Sequence, residues 1–175
     1  MKNIIYSILV LIVFLSYQII YANQQHSIVE VNETIVSNNK IDNKITLYFP
    51  ELEDLRLVKK ERDIKNTKGD KIEIIINELI AGPKQDDLMD IMPKGTKLNS
   101  AYIKNNIAYV DLSEEFITNH PGGSWGEHST IYGIVNSLCE LKEVKAVQFL
   151  IDGEIKDEFK GHININRPLE MSDDS

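Results

Sequence analysis

One cysteine, Cys139, in 175 residues leaves no partner for an intramolecular disulfide, so cysteine pairing says nothing of the redox compartment. Its apolar neighbours place it on the buried side of a predicted helix as a small hydrophobe. A reactive thiol needs an electropositive, partly open setting, which the local sequence does not offer. Basic residues are also short: 19 Lys plus Arg against 27 Asp plus Glu, a net charge of -8. Without a basic stripe the chain lacks the phosphate contacts that supply most nucleic-acid affinity, so nucleic acid is excluded as a partner. No internal repeat is present. Glycine and proline number 9 and 5, and the 42% hydrophobic and 26% charged content is ordinary for one globular domain with one core.

Charge is absent from one long stretch. After Met1-Lys2-Asn3, residues 4–21 carry Ile, Leu, Val, Phe and Tyr, interrupted only by Ser7, Ser16 and Gln18. A soluble core helix would show a polar face. About 17–25 apolar residues span a bilayer, and this run just suffices. Lys2 precedes it and no Lys or Arg follows until Lys40, which places the N-terminus in the cytoplasm and the remainder outside. Residues 1–22 are therefore a signal peptide or an N-terminal membrane anchor. Ala22 suits a cleavage site, whereas Ile20 is poor two places before it, so an uncleaved anchor fits slightly better. No cysteine near the end of the run could carry a lipid. Residues 23–43, rich in Asn, Gln, Ser and Glu, read as a flexible linker spanning roughly 25 Å as a coil. Residues 44–170 form the domain, and 171–175 an acidic, disordered tail.

Within the domain, Ile45, Leu47 and Phe49 alternate with Thr46 and Tyr48, the period of a strand, and residues 55–59 suggest a second. Asp70 and Glu73 form a capping-box pattern ahead of the helical stripe Ile72, Ile75, Ile76, Leu79 and Ile80, stopped by Gly82-Pro83. Residues 84–97 read as loop. Strands over 98–103 and 107–112 flank a turn at Asn105-Asn106. Residues 113–116 look like one helical turn. Ser124 and Glu127 form an S-x-x-E box after Pro121-Gly122-Gly123, starting a helix with the stripe Ile131, Ile134, Val135, Leu138 and Cys139. Val147, Phe149 and Ile151 share a strand face, Asp152-Gly153 makes a two-residue turn, and Ile155 and Phe159 return as its partner strand. The order β-β-α-β-β-α-β-β predicts an α+β two-layer sandwich, a mostly antiparallel sheet covered by two helices.

From Leu98 onward these residues resemble the GerM-type (GerMN) domain of sporulation and spore germination proteins. Residues 108–116, with Asp111 and Ser113, are similar to its VDLS-x-EF segment. Gly122-Gly123-Ser124 with Glu127 resembles its GGS-x-x-E helix start, and residues 131–138 its IY-x-IVNTL helix, with Ser137 where threonine is usual. Residues 147–153, ending in Asp152-Gly153, then Gly161-His162-Ile163 and Pro168, resemble its closing hairpin and tail. Leu47-Tyr48-Phe49 is similar to its opening strand. The resemblance implies an exported, membrane-attached protein of spore-forming bacteria that acts in sporulation or germination, in a family with no enzymatic activity established.

The residues suggest the same absence of chemistry. Residues 122–126 match G-x-S-x-G, yet a nucleophile elbow must follow a strand directly, and Pro121 stands there instead. Capping explains Ser124 and Glu127. His120, His128 and His162 match no metal motif and read as a polar rim. Glu114 and Glu115 are adjacent, too close for a glycosidase pair. No catalytic, cofactor or metal residue is expected. The expected partners are the membrane, through the N-terminal segment, and envelope or sporulation proteins, or peptidoglycan; an exposed sheet edge also allows self-association. The candidate contact residues are those of the motifs, with Trp125 either an interface residue or packing over a sheet edge.

Overall fold

The computed structural model describes Gln18 and residues 44–64 and 69–172. The chain divides into two units, Met1–Asp42 and Asn43–Ser175. The apolar run, the linker and residues 173–175 lie outside the described residues, apart from Gln18 within the run. Among the described residues no helix is long and apolar enough to cross a membrane.

The second unit is an α+β two-layer sandwich. Strand β1 (Lys44–Pro50) buries Ile45, Leu47 and Phe49, as its alternation requires, and pairs antiparallel with β2 (Leu57–Asp63). Helix α1 (Lys71–Ile80) buries Ile72, Ile74, Ile75, Ile76 and Leu79. Asp70 is its N-cap residue, but the side chain makes no capping hydrogen bond. Strands β3 (Leu98–Lys104) and β4 (Ile107–Leu112) form the expected hairpin, with Asn105 and Asn106 at φ 53° and 62°. These are the positive values that a two-residue primed turn demands. A short helix α2 (Glu115–Thr118) and the long helix α3 (Ser124–Cys139) follow. Strand β5 (Ala146–Ile151) and three two-residue strands close the domain: β6 (Glu158–Phe159), β7 (Ile163–Asn164) and β8 (Leu169–Glu170).

The strands form a four-stranded sheet in the order β3-β4-β5-β8, plus the pairs β1-β2 and β6-β7. Every pairing is antiparallel except β4 with β5, which runs parallel from Ile107↔Ala146 to Leu112↔Ile151. Helix α3 supplies the crossover that parallel neighbours need. Val110, Leu112, Val147, Phe149 and Ile151 meet Ile131, Ile134, Val135 and Leu138 of α3 in the core. The 84–97 loop also feeds this core, through Leu88, Ile91 and Met92.

Helix α3 lies directly against β1. A Cβ at Gly133 would sit 3.2 Å from the Tyr48 carbonyl oxygen and 2.6 Å from Ile91 Cδ1. Through this gap the Tyr48 N–H donates to Ser137 Oγ at 2.9 Å, and that hydroxyl donates to the Gly133 carbonyl at 2.6 Å. Arg62 of β2, buried at the end of α1, donates to the carbonyls of Glu78 and Gly82 and to the Glu78 carboxylate. It thereby caps carbonyls that the helix leaves unsatisfied.

The expected Val147–Phe159 hairpin does not form. Asp152 and Gly153 do adopt turn geometry, at φ 48° and 81°, but pairing ends with the single bridge Ile151↔Glu154. Ile155 is exposed, Phe159 is buried in β6 paired with β7, and the free edge of β5 takes β8 instead.

Candidate functional site

The motif residues gather in two clusters at the ends of β4, β5 and α3. In the first, the Gly153 N–H donates to Asp111 Oδ1 at 2.9 Å. Asn99 Nδ2 donates to Asp152 Oδ1 at 3.0 Å, and the Asp152 N–H donates to the Leu112 carbonyl at 3.0 Å. Asp111 and Asp152 thus fasten the turn after β5 to the hairpin beside it. Ser113 closes the same end: its hydroxyl accepts from the Lys97 N–H at 3.0 Å, and its own N–H donates to the Lys97 carbonyl. A hydrogen bond from Ser113 holds the Glu115 carboxyl below its ordinary value.

The second cluster surrounds the start of α3. Gly122 and Gly123 sit at φ 80° and 91°, in the region that glycine enters without strain. Gly123, not Ser124, is the N-cap residue; Ser124 is the first helical residue, exposed and without a side-chain capping bond. Glu127 does not complete a capping box either. It is fully buried, and its carboxylate accepts from the His162 backbone N–H at 3.0 Å and faces His162 Nδ1 at 2.7 Å. Lys160 at φ 55° and Gly161 at φ 109° make the bend that presents His162 to it. The expected S-x-x-E box is therefore a long-range clamp, joining α3 to the β6–β7 turn across 35 residues.

His120 is buried nearby. Its Nδ1 accepts from the Gly122 N–H at 2.9 Å, so Nε2 carries the proton and donates to Thr130 Oγ1 at 3.1 Å. The Thr130 hydroxyl in turn donates to the Ile91 carbonyl at 2.8 Å. Burial pulls the His120 pKa below its ordinary value, outweighing the opposing influence of the Gly126 backbone and the Glu127 charge. The ring edge meets Phe159 at 4.8 Å, and Phe159 packs on Phe116 at 4.9 Å.

The three histidines are thus parted: His120 bonds Thr130, His162 bonds Glu127, and His128 lies against the Tyr132 ring at 4.5 Å. Among the described residues no group of three His, Cys, Asp or Glu side chains could hold a metal. Every buried side-chain nitrogen or oxygen there has a hydrogen-bond partner. Ser124 meets neither the strand nor the base that a nucleophile elbow requires.

Beside the second cluster an apolar side chain projects outward. Trp125 is 41% exposed and its Nε1 donates to the Leu55 carbonyl at 3.1 Å. Leu55, in the β1–β2 turn, holds φ 63°. That conformation costs a side-chain-bearing residue about 1–2 kcal/mol. Sequence reasoning singled out Trp125 but not Leu55, whose backbone no local pattern announces.

This fold and these motif clusters define a GerMN-type domain. Residues 46–157 match the Germane family, described as sporulation and spore germination, and the chain belongs to that family. Similar solved structures include three of this kind. A candidate lipoprotein from Clostridium perfringens shares 29% identity at a TM-score of 0.52, covering 73% of this chain and 86% of that one. The tandem GerMN domains of the Bacillus subtilis sporulation protein GerM share 25% identity at a TM-score of 0.61, covering 77% of this chain and 48% of that one. This chain thus spans about half the length of that tandem. The first GerMN domain of the same protein, at 16% identity and TM-score 0.60 over 75% of this chain and 98% of that one, shares the fold. No curated protein matches the chain.

Proposed function

We propose that this protein is a non-enzymatic interaction module of sporulation or spore germination. It is held at the outer face of a bacterial membrane by its N-terminal apolar segment, and it contacts envelope proteins there. The observation that carries this reading is the division of labour among the motif residues. Asp111, Ser113, Glu127, Asp152 and His162 are committed to bonds within the domain, while Trp125 beside them faces solvent. A catalytic set would leave reactive groups facing a cleft; here these polar groups fasten segments and Trp125 faces outward. The kinship with a candidate lipoprotein supports a position at the membrane surface, and the kinship with GerM a role in sporulation. Tethering there would raise the effective concentration of the domain near its neighbours.

The test is made in the spore-forming host. The full chain is expected in the membrane fraction, open to protease added from outside, induced during sporulation, and retaining a defined envelope protein on pull-down. A cytosolic chain, constant vegetative expression with no spore defect on deletion, or turnover of a substrate would overturn the proposal. So would retention on purified peptidoglycan with no envelope protein recovered.

A further inference from the structure

Of the seven large hydrophobic side chains exposed among the described residues, three come together in one place. Leu52 is 55% exposed, Leu55 43% and Trp125 41%, and all three belong to one small region. Trp125 is tied to Leu55 by the indole hydrogen bond, and Leu52 lies in the same tight turn, which is closed by the Leu55 N–H to the Glu51 carbonyl at 3.0 Å. The turn is braced from its other side: the Leu52 N–H donates to the Asp87 carbonyl, and the Met89 N–H to the Pro50 carbonyl, both at 2.9 Å. The leucines are therefore held outward by a fixed backbone. Holding Leu55 at positive φ in a position where asparagine or glycine would be unstrained, with the side chain still half in water, gives the isolated domain no evident return.

The rim of this patch is acidic. Glu51, Leu52, Glu53 and Asp87 line a shallow depression beside it, and Asp54 and Asp86 adjoin them in sequence. Arg56 is taken up by Asp54 at 2.6 Å, and Lys60 approaches Glu51 at 3.7 Å. Glu53, Asp86 and Asp87 enter no ion pair among the described residues. An apolar centre with an unbalanced negative rim selects a partner of opposite charge and repels an anionic surface.

We propose that the β1–β2 turn and the start of α3 form a docking surface for a protein segment that carries leucine-like anchors flanked by lysine or arginine. Leu52, Leu55 and Trp125 receive the anchors, and Glu53, Asp86 and Asp87 meet the basic flanks. The surface deepens the function proposed above, since it presumes a protein partner, but it can be tested without that partner.

Trp125 is the one tryptophan of the chain, so its fluorescence reports on the surface directly. The full chain is titrated with three synthetic peptides of equal length, alternating Lys and Leu, Glu and Leu, or Lys and Ser, and with anionic phospholipid vesicles. The Lys/Leu peptide is expected to shift the emission to the blue, with affinity falling at least tenfold in Leu55→Asn and in Leu52→Ser and falling again as salt is raised. The Glu/Leu and Lys/Ser peptides are expected to leave the emission in place, and any change that vesicles cause through the N-terminal apolar segment is expected to be equal in Leu52→Ser. No shift with Lys/Leu, an equal shift with Glu/Leu, or a vesicle-induced shift that Leu52→Ser abolishes overturns the assignment. Leu55→Asn is expected to keep its melting temperature; if it melts early, Leu52→Ser carries the comparison. The two proposals fail separately. Peptide binding without a sporulation phenotype sinks the function but not the surface. A sporulation partner retained undiminished by the Leu52→Ser, Leu55→Asn double variant sinks the surface but not the function.

Discussion

Replacing Glu127 with alanine removes the side chain that joins α3 to the β6–β7 turn through the His162 backbone. The carboxylate is fully buried and accepts one bond at 3.0 Å from that N–H and another at 2.7 Å from the ring. Hydrogen bonds to a charged group contribute about 1.5–3 kcal/mol each. The His162 side chain is 51% exposed, so water replaces most of what its ring loses, and the backbone bond, at the lower end of that range, carries most of the cost. Together with the small cavity left behind, Glu127→Ala is expected to cost about 2–3 kcal/mol. For a domain of this size that lowers the melting temperature by roughly 8–12 °C. Glu127→Gln keeps the volume but sets an amide against two donors, and should cost about 1–2 kcal/mol. A double-mutant cycle with His162→Ala, followed by thermal and urea unfolding, isolates the ring contact and should return a coupling of about 1 kcal/mol. A melting temperature for Glu127→Ala within about 2 °C of the parent, or strict additivity with His162→Ala, would refute the clamp.

Four further outcomes are expected. Ser124→Asp should leave stability unchanged or raise it by about 0.3–1 kcal/mol, because a carboxylate in the first turn suits the helix dipole; Gly123→Ala, at φ 91°, should lose about 1–2 kcal/mol in the same unfolding assay. Because burial lowers the His120 pKa from its ordinary 6.5, the unfolded chain binds more protons just below that pH. This group's stabilising contribution is therefore complete above pH 6.5 and is lost as pH falls from there through the folded value, and His120→Gln should remove that part of the pH dependence of the melting temperature. Burial, aided by the Glu170 charge and opposed by a Met171 backbone hydrogen bond, pushes the Cys139 thiol up to about 11. Native protein should then react with iodoacetamide at pH 8 on the order of a hundredfold more slowly than unfolded protein, timed by mass spectrometry.

Much of this domain is legible in its residues. The alternation Ile45, Leu47, Phe49 fixes which side of β1 is buried, and Asn105-Asn106 announces a turn that only positive φ can close. Periodicity tells which face of a strand is buried, however, and not which strand lies beside it. The Val147 stretch is correctly apolar on one face, yet its neighbours are β4 in parallel and β8, not the residues that follow Gly153. The Asp152-Gly153 turn forms and is then diverted, because Asp111 and Leu112 claim its backbone N–H groups. Ser124 and Glu127 are spaced as a capping box, but glycine at 123 enters a backbone conformation closed to serine. That moves the cap one residue back and frees the carboxylate for a partner 35 residues away. Local spacing carries no trace of such a partner. Arg62 escaped notice for the same reason, its acceptors lying at the far end of α1.

The final stretch of chain holds more of the interior than its short strands suggest. Gln148, buried at mid-sheet, gives its side-chain amide to the carbonyls of Phe149 and Ile165, and Asn136 exchanges two bonds with the backbone of Ser172. With Glu127 waiting on His162, side chains of α3 and β5 have their partners among residues that are made after them. A nascent chain halted before residue 160 would contain both long helices and most of the central sheet, and still be unable to close its interior to water.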